Sequence, residues 1–293
     1  MRKHKIALDT DIGTDVDDAM ALALLLGRAD VEILGITTVY GDTKLRSQIA
    51  ARYARLMGAK LKIHAGSEQT LSGRPVWVSG LEGSLLANLA DENFEEFNGV
   101  NFLRDAVSKN PGEIDVVAIG PLTNIARVIE SDPSFAKNVK HLWIMGGEFA
   151  TEFAEHNFRC DIRATKIVMD SGINMTITGV EITKQLQIMR SDLEVISQAG
   201  SMGSLLFAEI DQWLTYRKED FDVPHDPIAI LPMLEPELFT FSEAGIVEIE
   251  ISDSEMTGKS RFSEQSTGNI RIVRDFNRVK VQAEILASIL RAG

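Results

Sequence analysis

Short apolar segments alternate with segments of helical spacing from the N-terminus to about residue 180. The apolar segments KIALDTD, VEILGITTVY, EIDVVAIG, VKHLWIMGG and NMTITGVEI each have the length of one strand. Segments with helical spacing, such as TKLRSQIAARYARLM and PLTNIARVIES, lie between them. Nearly continuous apolar strands separated by helices are typical of a parallel sheet covered on both faces. The pattern therefore predicts an α/β fold with an open, mostly parallel sheet and helices on both of its faces.

The pattern changes after residue 190. Residues 191–220 predict helices that are broken at Gly200 and Gly203, and AGIVEIEI and NIRIVRDF alternate like two strands joined by the polar residues 252–268. The last helix is predicted to turn one apolar stripe towards the core, formed by Phe276, Val279, Ala283, Leu286 and Leu290. No internal repeat or low-complexity linker divides the sequence, so we expect a single domain over residues 1–293.

The charge balance changes which partners are expected. The 293 residues carry a net charge of −13, and the only Lys/Arg-rich run is Arg2–Lys5. A binder of DNA, RNA or anionic membranes needs a basic face, so we expect none of these partners. Cys160 is the only cysteine, which excludes an intrachain disulfide and fits a reducing compartment. The sequence has neither a signal-peptide core nor an apolar run of membrane-spanning length, so we expect a cytoplasmic protein.

The segment IALDTDIGTDVDDA concentrates carboxylates at the end of the first predicted strand. Asp17 and Asp18 fit the first turn of a helix, where the helix dipole stabilises each charge by about 0.3–1 kcal/mol. Two like charges ~4 Å apart repel by roughly 4 kcal/mol at an effective dielectric constant near 20. The dipole is therefore too weak to keep the whole cluster ionised, whereas a bound cation is sufficient. The segment predicts a metal site among five aspartates: Asp9, Asp11, Asp15, Asp17 and Asp18.

The residue types in this segment narrow the choice of metal. The segment contains no His or Cys, and ligation by oxygen alone favours Ca²⁺ or Mg²⁺. An EF-hand loop counted from Asp9 fails, because its sixth position is Thr14 instead of Gly and its twelfth is Met20 instead of Glu. Phosphatases of the haloacid-dehalogenase type also begin with a strand and Asp-x-Asp. That interpretation leaves three of the aspartates unexplained and stays a minor alternative.

Three other polar segments lie where this fold places ligand sites, namely AIGPLTN, AEHNFRCD and VPHDPIAIL. The first can direct the carbonyl of Ile119 out of the sheet to complete a metal shell, or it is an ordinary strand-to-helix turn. The second presents Glu155 and Asn157 to sugar hydroxyls, or it is a polar surface loop. In the third, His225 is a candidate acid–base group, and Asp226 also fits a helix N-cap before a proline.

The four segments occur in an order that resembles the nucleoside hydrolases, the inosine–uridine-preferring type of N-ribohydrolase. DTDIGTDVDDA is similar to the N-terminal signature of the family, and GPLTNIA, MGG…AEHN…D, TGVEIT and HDPIAI are similar to its later motifs. The resemblance covers roughly residues 5–245. It implies a Rossmann-like α/β fold and hydrolysis of the N-glycosidic bond of ribonucleosides to free base and ribose.

The resemblance also implies a set of metal ligands and one acid. Asp11, Asp18, the Ile119 carbonyl and Asp226 would bind Ca²⁺, which would hold the attacking water and two ribose hydroxyls. Asp11 would also take the proton of that water. His225 would protonate the leaving base.

The remaining candidate residues contact the substrate. The resemblance implies that Asp17 binds the ribose 2′-hydroxyl, that Asp226 also contacts the ribose, and that Glu155 and Asn157 contact it from the other side. Further candidates lie on the base side or near the ribose, and these are Asp42, His156 and Trp213. Asp42 occupies a position where the family often has Asn, and His156 one where an aromatic residue is common. Trp213 can stack on a nucleobase or pack between helices.

One departure from the family concerns the acidic segment itself. Asp11 and the Asp17–Asp18 pair are separated by two more residues than in the best-known members, and Asp15 then has no assigned role. A hydrolase of the same fold acting on another ribosyl substrate stays open, as does a non-catalytic, metal-dependent sensor of ribose or nucleosides. The sequence leaves the choice between purine and pyrimidine nucleosides open. The family resemblance implies a homo-oligomer, a dimer or tetramer, with a role in purine or pyrimidine salvage.

Overall fold

A ten-stranded mixed sheet forms the centre of the molecule. The computed structural model describes residues 3–96, 98–252 and 257–293. The strands are β1 His4–Thr10, β2 Val31–Thr38, β3 Ile63–Ala65, β4 Ile114–Ala118, β5 His141–Met145, β6 Met175–Thr178, β7 Ile188–Met189, β8 Phe221–Asp222, β9 Phe239–Phe241, β10 Gly245–Ile249, β11 Ser260–Glu264 and β12 Ile270–Phe276. The α-helices are α1 Asp17–Leu26, α2 Thr43–Leu56, α3 Gly99–Lys109, α4 Thr123–Ser131, α5 Phe135–Asn138, α6 His156–Cys160, α7 Ile162–Met169, α8 Val180–Thr183, α9 Arg190–Leu193, α10 Gly200–Arg217, α11 His225–Leu234 and α12 Arg278–Ala292.

The strand order places the predicted site at a reversal of the sheet. The order is β11-β10-β12-β6-β5-β4-β1-β2-β3, with β9 paired to β12 and with β7 and β8 in a separate ribbon. The neighbours from β3 to β12 are parallel, and β10 and β11 are antiparallel. After β1 the chain adds β2 and β3 on one side of it, and it then crosses to the other side of β1 to add β4, β5 and β6. Ligands of open α/β sheets bind at the carboxyl ends of strands at such a point.

Helices cover both faces of the sheet, as the apolar pattern predicts. Along β1, Ile6 and Leu8 belong to the apolar core formed with α1, α2, α10, α11 and α12. Ala7, between them, belongs to the core on the other face with α3, α4 and α7. Because both faces are buried, β1 has no polar stripe, and the predicted α/β fold is confirmed. Across the described ranges, no helix combines the length and apolar character that a membrane crossing requires.

Two expectations for the second half of the chain are wrong. Gly203 lies inside α10 and does not break it. A Cβ at this position would lie 2.1 Å from the Ile196 carbonyl oxygen, so the glycine permits close packing of α10 on the preceding turn. The polar residues 252–268, expected to be a connection, contain the strand Ser260–Glu264. Its charged side chains are typical of an exposed sheet edge, and they make its sequence look like a loop. Residues 253–256 of this segment lie outside the described residues.

The predicted stripe of the last helix is only partly right: Leu286 and Leu290 pack against the core and Phe276 is buried at the end of β12, but its other two members face solvent. Val279 is 79% exposed and Ala283 is exposed, whereas the buried stripe of α12 is formed by Val281, Ile285, Ser288 and Ile289. The sequence contains two apolar stripes, and packing against the end of α1 selects one of them. Glu284 accepts a hydrogen bond of 2.7 Å from Arg28, which follows α1, and this contact is compatible with the rotation that packing selects.

Candidate active site

A cavity of about 800 Å³ lies at the carboxyl edge of the sheet, beside the ends of β1 and β4. Of the residues predicted for the site, Asp9 and Asp42 do not line it, and Asp9 is fully buried and accepts a hydrogen bond of 2.8 Å from the Asn124 amide. The predicted residues that do line it are Asp11, Asp17, Asp18, Ile119, Glu155, His156, Asn157, Trp213, His225 and Asp226. The lining also includes residues without a predicted role: Thr14, Asp15, Tyr40, Arg74, Pro75, Trp77, Met145, Phe153, Arg159, Cys160, Val180, Lys184 and Arg217. The volume suits a small molecule.

Asp42 does not reach this cavity. Its side chain is exposed and caps the N-terminus of α2 by accepting a hydrogen bond of 2.9 Å from the Leu45 backbone N–H. The carboxylate therefore satisfies a free helix N–H group and does not line the cavity in which a substrate contact of Asp42 was predicted.

Three buried carboxylates meet at the floor of the cavity. One oxygen each of Asp17, Asp18 and Asp226 lies within 4.8 Å of the others. The first two begin α1, and Asp226 lies in the first turn of α11, so two helix N-termini converge here. The Asp18 carboxylate accepts a hydrogen bond from the Thr10 hydroxyl at the end of β1. An Asp17 oxygen accepts a 3.1 Å hydrogen bond from the Asp18 backbone N–H.

The electrostatics of this group indicate a cation. Burial raises the pKa of Asp17, Asp18 and Asp226 well above the usual range of aspartate, and repulsion by neighbouring aspartates raises each pKa further. A bound divalent cation would lower these pKa values again, because it stabilises the ionised carboxylates. The donor atoms are all oxygens, as hard cations such as Ca²⁺ and Mg²⁺ require. The residues present therefore fit a metal site.

Asp11 and Asp15 line the same cavity outside this closest group. Burial raises the pKa of the Asp11 carboxyl, and the nearby charge of Arg46 opposes the shift. A Cβ on Gly120 would lie 2.6 Å from an Asp11 carboxylate oxygen, so a glycine after β4 leaves space for this side chain. Asp15 accepts a 2.6 Å hydrogen bond from the Val16 N–H, and burial raises its pKa to about 7.

The predicted carbonyl ligand is held by a neighbouring amide. The Asn157 side chain donates hydrogen bonds of 2.9 Å to the Ile119 carbonyl and 3.3 Å to the Met145 carbonyl. These carbonyls follow β4 and end β5, so Asn157 connects two strand ends at the cavity. A carbonyl oxygen has two lone pairs, and the Ile119 oxygen retains one for a further partner.

Glu155 organises the loop that carries Asn157. Its carboxylate caps α6 by accepting hydrogen bonds from the N–H groups of Asn157 at 2.8 Å and Phe158 at 3.0 Å. It also accepts a hydrogen bond of 2.9 Å from Gly147 after β5. The buried carboxylate thus fixes the loop around the cavity.

His225 lies at the first position of α11 and lines the cavity. Its Nδ1 lies 2.5 Å from the Thr183 hydroxyl, which leaves Nε2 as the nitrogen available to a ligand. Burial lowers the pKa of the imidazole to about 4, and the charges of Lys184 and Arg217 lower it further. The side chain is therefore neutral at pH 7, and it can donate a hydrogen bond from Nε2 to a ligand only as the Nε2–H tautomer.

Aromatic rings form another part of the lining. The His156 ring lies edge-on to Tyr40, with centroids 6.3 Å apart, and to Trp77, with centroids 5.8 Å apart. The Tyr40 hydroxyl accepts a hydrogen bond of 2.8 Å from the Trp77 backbone N–H. The ring of Trp213 is mostly buried and stacks on Tyr216 at 5.6 Å. Both functions considered for Trp213 are therefore compatible with its position.

Sequence reasoning missed Tyr40 and Trp77. Tyr40 follows β2 at the carboxyl edge of the sheet, a position where ligand-binding residues are common. Trp77 is 46% exposed in a loop that contains Gly and Pro, and an exposed tryptophan outside any helix or strand is a sign of binding. Only the position of Tyr40 after an apolar strand was a signal available in the sequence, because the exposure of Trp77 depends on the fold.

Comparison with known proteins is consistent with the fold and the cavity. The model of the family described as inosine-uridine preferring nucleoside hydrolase matches residues 6–283. Uridine nucleosidase 1 of Arabidopsis thaliana is 32% identical over 274 residues, which cover 85% of this chain and 79% of that protein. A non-specific ribonucleoside hydrolase of Escherichia coli O157:H7 is 27% identical over 304 residues, which cover 97% of this chain and 98% of that protein. A solved plant nucleoside hydrolase superimposes with a TM-score of 0.86 at 26% identity over 99% of both chains.

The fold and the site define a nucleoside hydrolase. The chain belongs to the inosine-uridine preferring nucleoside hydrolase family, as its motifs predicted. Family membership and the relatives support the predicted activity, hydrolysis of ribonucleosides to free base and ribose.

Proposed function

We propose that the protein is a Ca²⁺-dependent ribonucleoside hydrolase in which the cavity beside β1 and β4 is the active site. The observation that carries this proposal is the group of three buried carboxylates, Asp17, Asp18 and Asp226, at the floor of that cavity. Buried carboxylates this close are costly unless a cation neutralises them. A large oxygen-ligated cation such as Ca²⁺ accepts a flexible set of carboxylates and carbonyls.

The proposed calcium ligands are Asp11, Asp18, Asp226 and the carbonyl oxygen of Ile119. When bound, the ion supplies Lewis-acid polarisation of the attacking water, which lowers the pKa of that water. Asp11 accepts the proton that the water loses. Asn157 keeps the Ile119 carbonyl directed to the cavity through its 2.9 Å hydrogen bond.

The other residues bind the ribose and stabilise its charge. Cleavage of an N-glycosidic bond develops positive charge on the sugar ring, as in other glycoside hydrolyses. The carboxylates at the floor stabilise that charge, and Asp17 accepts a hydrogen bond from the 2′-hydroxyl. Glu155 and Asn157 contact the ribose from the side of α6. Contacts to several hydroxyls orient the anomeric carbon for attack.

The leaving base lies on the side of His225 in this proposal. As the imidazolium, His225 transfers its Nε2 proton to the departing base and is left as the neutral imidazole, with Nδ1 held by Thr183. Burial lowers the pKa of this group to about 4, so only a small fraction carries the proton at pH 7, and that fraction is a strong acid. The aromatic residues Tyr40, Trp77, His156 and Trp213 provide surfaces for stacking on the base. The names of the plant relatives make uridine the first substrate to test. A single domain, a cytoplasmic location, a homo-oligomeric state and a role in salvage stay predictions.

The test is release of reducing sugar from uridine and from inosine by the purified protein. We expect free ribose from at least one of them, and loss of that activity in Asp18→Asn. Asp170→Asn is the matched control, because Asp170 is exposed at the end of α7 and pairs with Lys166. Absence of ribose from both nucleosides, with calcium present, would reject the proposal and favour a binding protein.

A further inference from the structure

Arg46 is a buried residue that the proposed chemistry leaves unexplained. It lies on α2 and is only 2% exposed. Its guanidinium donates hydrogen bonds of 2.7 Å to the carbonyl of Tyr40 and 2.9 Å to the carbonyl of Ile12, and it also donates to the carbonyl of Asp11. One side chain therefore holds the loop after β1 and the loop after β2.

The partners of Arg46 are unusual for a buried cation. Within the ranges that the structure describes, they are carbonyl and hydroxyl oxygens, and no carboxylate lies at ion-pair distance. Arg52, on the same helix, instead pairs with Glu92. Burying a guanidinium is costly, and here its hydrogen bonds and the nearby carboxylates of Asp11 and Asp18 offset that cost, so the fold places a positive charge behind the acidic loop.

Arg46 also holds the middle of the loop that carries the aspartates. Its Nη2 lies 2.9 Å from the hydroxyl of Thr14, between Asp11 and the Asp17–Asp18 pair. Fixing such a loop in one conformation costs entropy. The hydrogen bonds that Arg46 donates to Asp11, Ile12 and Thr14 restrain the first half of this loop.

The same contacts reach the opposite wall of the cavity. The Thr14 hydroxyl donates a 3.1 Å hydrogen bond to Glu82. Glu82 accepts further hydrogen bonds from the N–H groups of Ser79 at 2.8 Å and Gly80 at 2.9 Å. These residues follow Trp77 in its loop. A continuous network thus connects Arg46, the acidic loop and the loop that carries Trp77.

We propose that Arg46 is a positioning residue that preorganises the acidic loop for the cation and connects this loop to the Trp77 wall of the cavity. The inference rests on the proposed function, because it assigns Arg46 a task at the proposed calcium site. Hydrogen-bonding partners that orient metal ligands change metal affinity by about 10–100-fold when they are removed. We therefore expect Arg46→Met to bind calcium about 10–100-fold more weakly than the natural protein.

The experiment measures calcium binding by titration calorimetry in the absence of nucleoside, on chelator-treated protein. Arg52→Met is the matched control, since Arg52 is also on α2, with its side chain 13% exposed, and donates to Glu92 and to the Ala87 carbonyl at 2.7 Å. We expect Arg52→Met to keep the calcium affinity of the natural protein. Arg46→Lys keeps the charge without the planar fork, so we expect an affinity between those of Arg46→Met and the natural protein.

Thr14→Val keeps the experiment informative if Arg46→Met does not fold. It removes only the hydroxyl that connects Arg46 to Glu82, and we expect several-fold weaker calcium binding. If Arg46→Met folds and keeps the calcium affinity of the natural protein, the inference is overturned. If Arg46→Met does not fold, the same result in Thr14→Val overturns it. An equal loss in Arg46→Met and Arg52→Met also overturns it, because the effect is then general destabilisation. Failure of the natural protein to bind calcium overturns the proposed function, which separates the two results.

Discussion

The side-chain amide of Asn157 donates a hydrogen bond of 2.9 Å to the backbone carbonyl of Ile119. Asn157 is in α6 and Ile119 follows β4, so this bond joins two segments separated by 38 residues at the cavity. The bond therefore holds the carbonyl for which the role of a metal ligand is proposed.

The first prediction concerns this hydrogen bond. Asn157→Leu leaves the buried carbonyls of Ile119 and Met145 without the amide donor, and an unsatisfied buried polar group costs about 1–3 kcal/mol. We expect the free energy of unfolding, measured with urea in the absence of calcium, to fall by about that amount. Asn157→Asp replaces the donor by an acceptor facing two carbonyls and is expected to be at least as destabilising. Unfolding curves that match the natural protein for both variants would contradict the structural role of Asn157.

The second prediction concerns the sugar. Asp17 is proposed to accept a hydrogen bond from the ribose 2′-hydroxyl, and a site built for a hydroxyl rejects an analogue without it by as much as about 10⁴–10⁵-fold. We expect 2′-deoxyuridine to have a much lower kcat/KM than uridine. The measurement is initial-rate kinetics on both nucleosides. A similar kcat/KM on the two nucleosides would contradict the proposed contact between Asp17 and the 2′-hydroxyl.

The third prediction concerns the leaving group. General acid catalysis contributes roughly 10²–10⁴-fold, and a p-nitrophenolate departs without protonation. We therefore expect His225→Ala to slow nucleoside hydrolysis by about that factor while the rate on p-nitrophenyl riboside changes little. The second substrate is the internal control, because its ribose contacts are the same. Equal losses on both substrates would mean that His225 organises the site, for example through the adjacent Asp226.

The structure explains why some site residues are predictable and others are not. Asp17, Asp18 and Asp226 stand in short motifs next to helix starts, so their placement follows from local sequence. Trp77 reaches the cavity through a loop whose path depends on packing between distant segments. An arginine on an amphipathic helix is normally expected to face solvent. Arg46 is buried only because the loops after β1 and β2 fold over it.

The same distinction applies to the fold. The alternation of apolar strands and helices predicts the parallel part of the sheet, because the middle of most of these strands is a run of apolar residues. The strand Ser260–Glu264 is polar because it lies at an edge, and its sequence resembles a loop. The rotation of α12 depends on its packing against α1, and the periodicity of α12 alone does not contain this tertiary contact.

The fourth prediction is a pH dependence of stability that originates at Glu181. Burial raises the pKa of this carboxyl from 4.5 to about 7 in the folded protein. Between these values the folded state retains a proton that the unfolded state has lost, so this group makes stability fall as pH rises through that window. Glu181→Gln removes the titration. We expect the stability of the variant relative to the natural protein to increase from pH 4.5 to 7 and to level off above pH 7.

The measurement is urea unfolding of both proteins across this pH range in the same buffers. All other titrating groups are shared, so the difference between the two curves isolates Glu181. A difference that is constant across the range, or that decreases as pH rises, would contradict the assignment.

The calcium dependence of ribose release tests the central claim most directly. Chelator-treated protein is titrated with calcium while ribose release from uridine or inosine is followed, and calorimetry gives the stoichiometry. We predict no release without calcium, full recovery at saturation with about one ion per chain, and loss of both binding and activity in Asp226→Asn but not in Asp170→Asn. Full activity in a preparation that elemental analysis finds free of calcium would contradict the account.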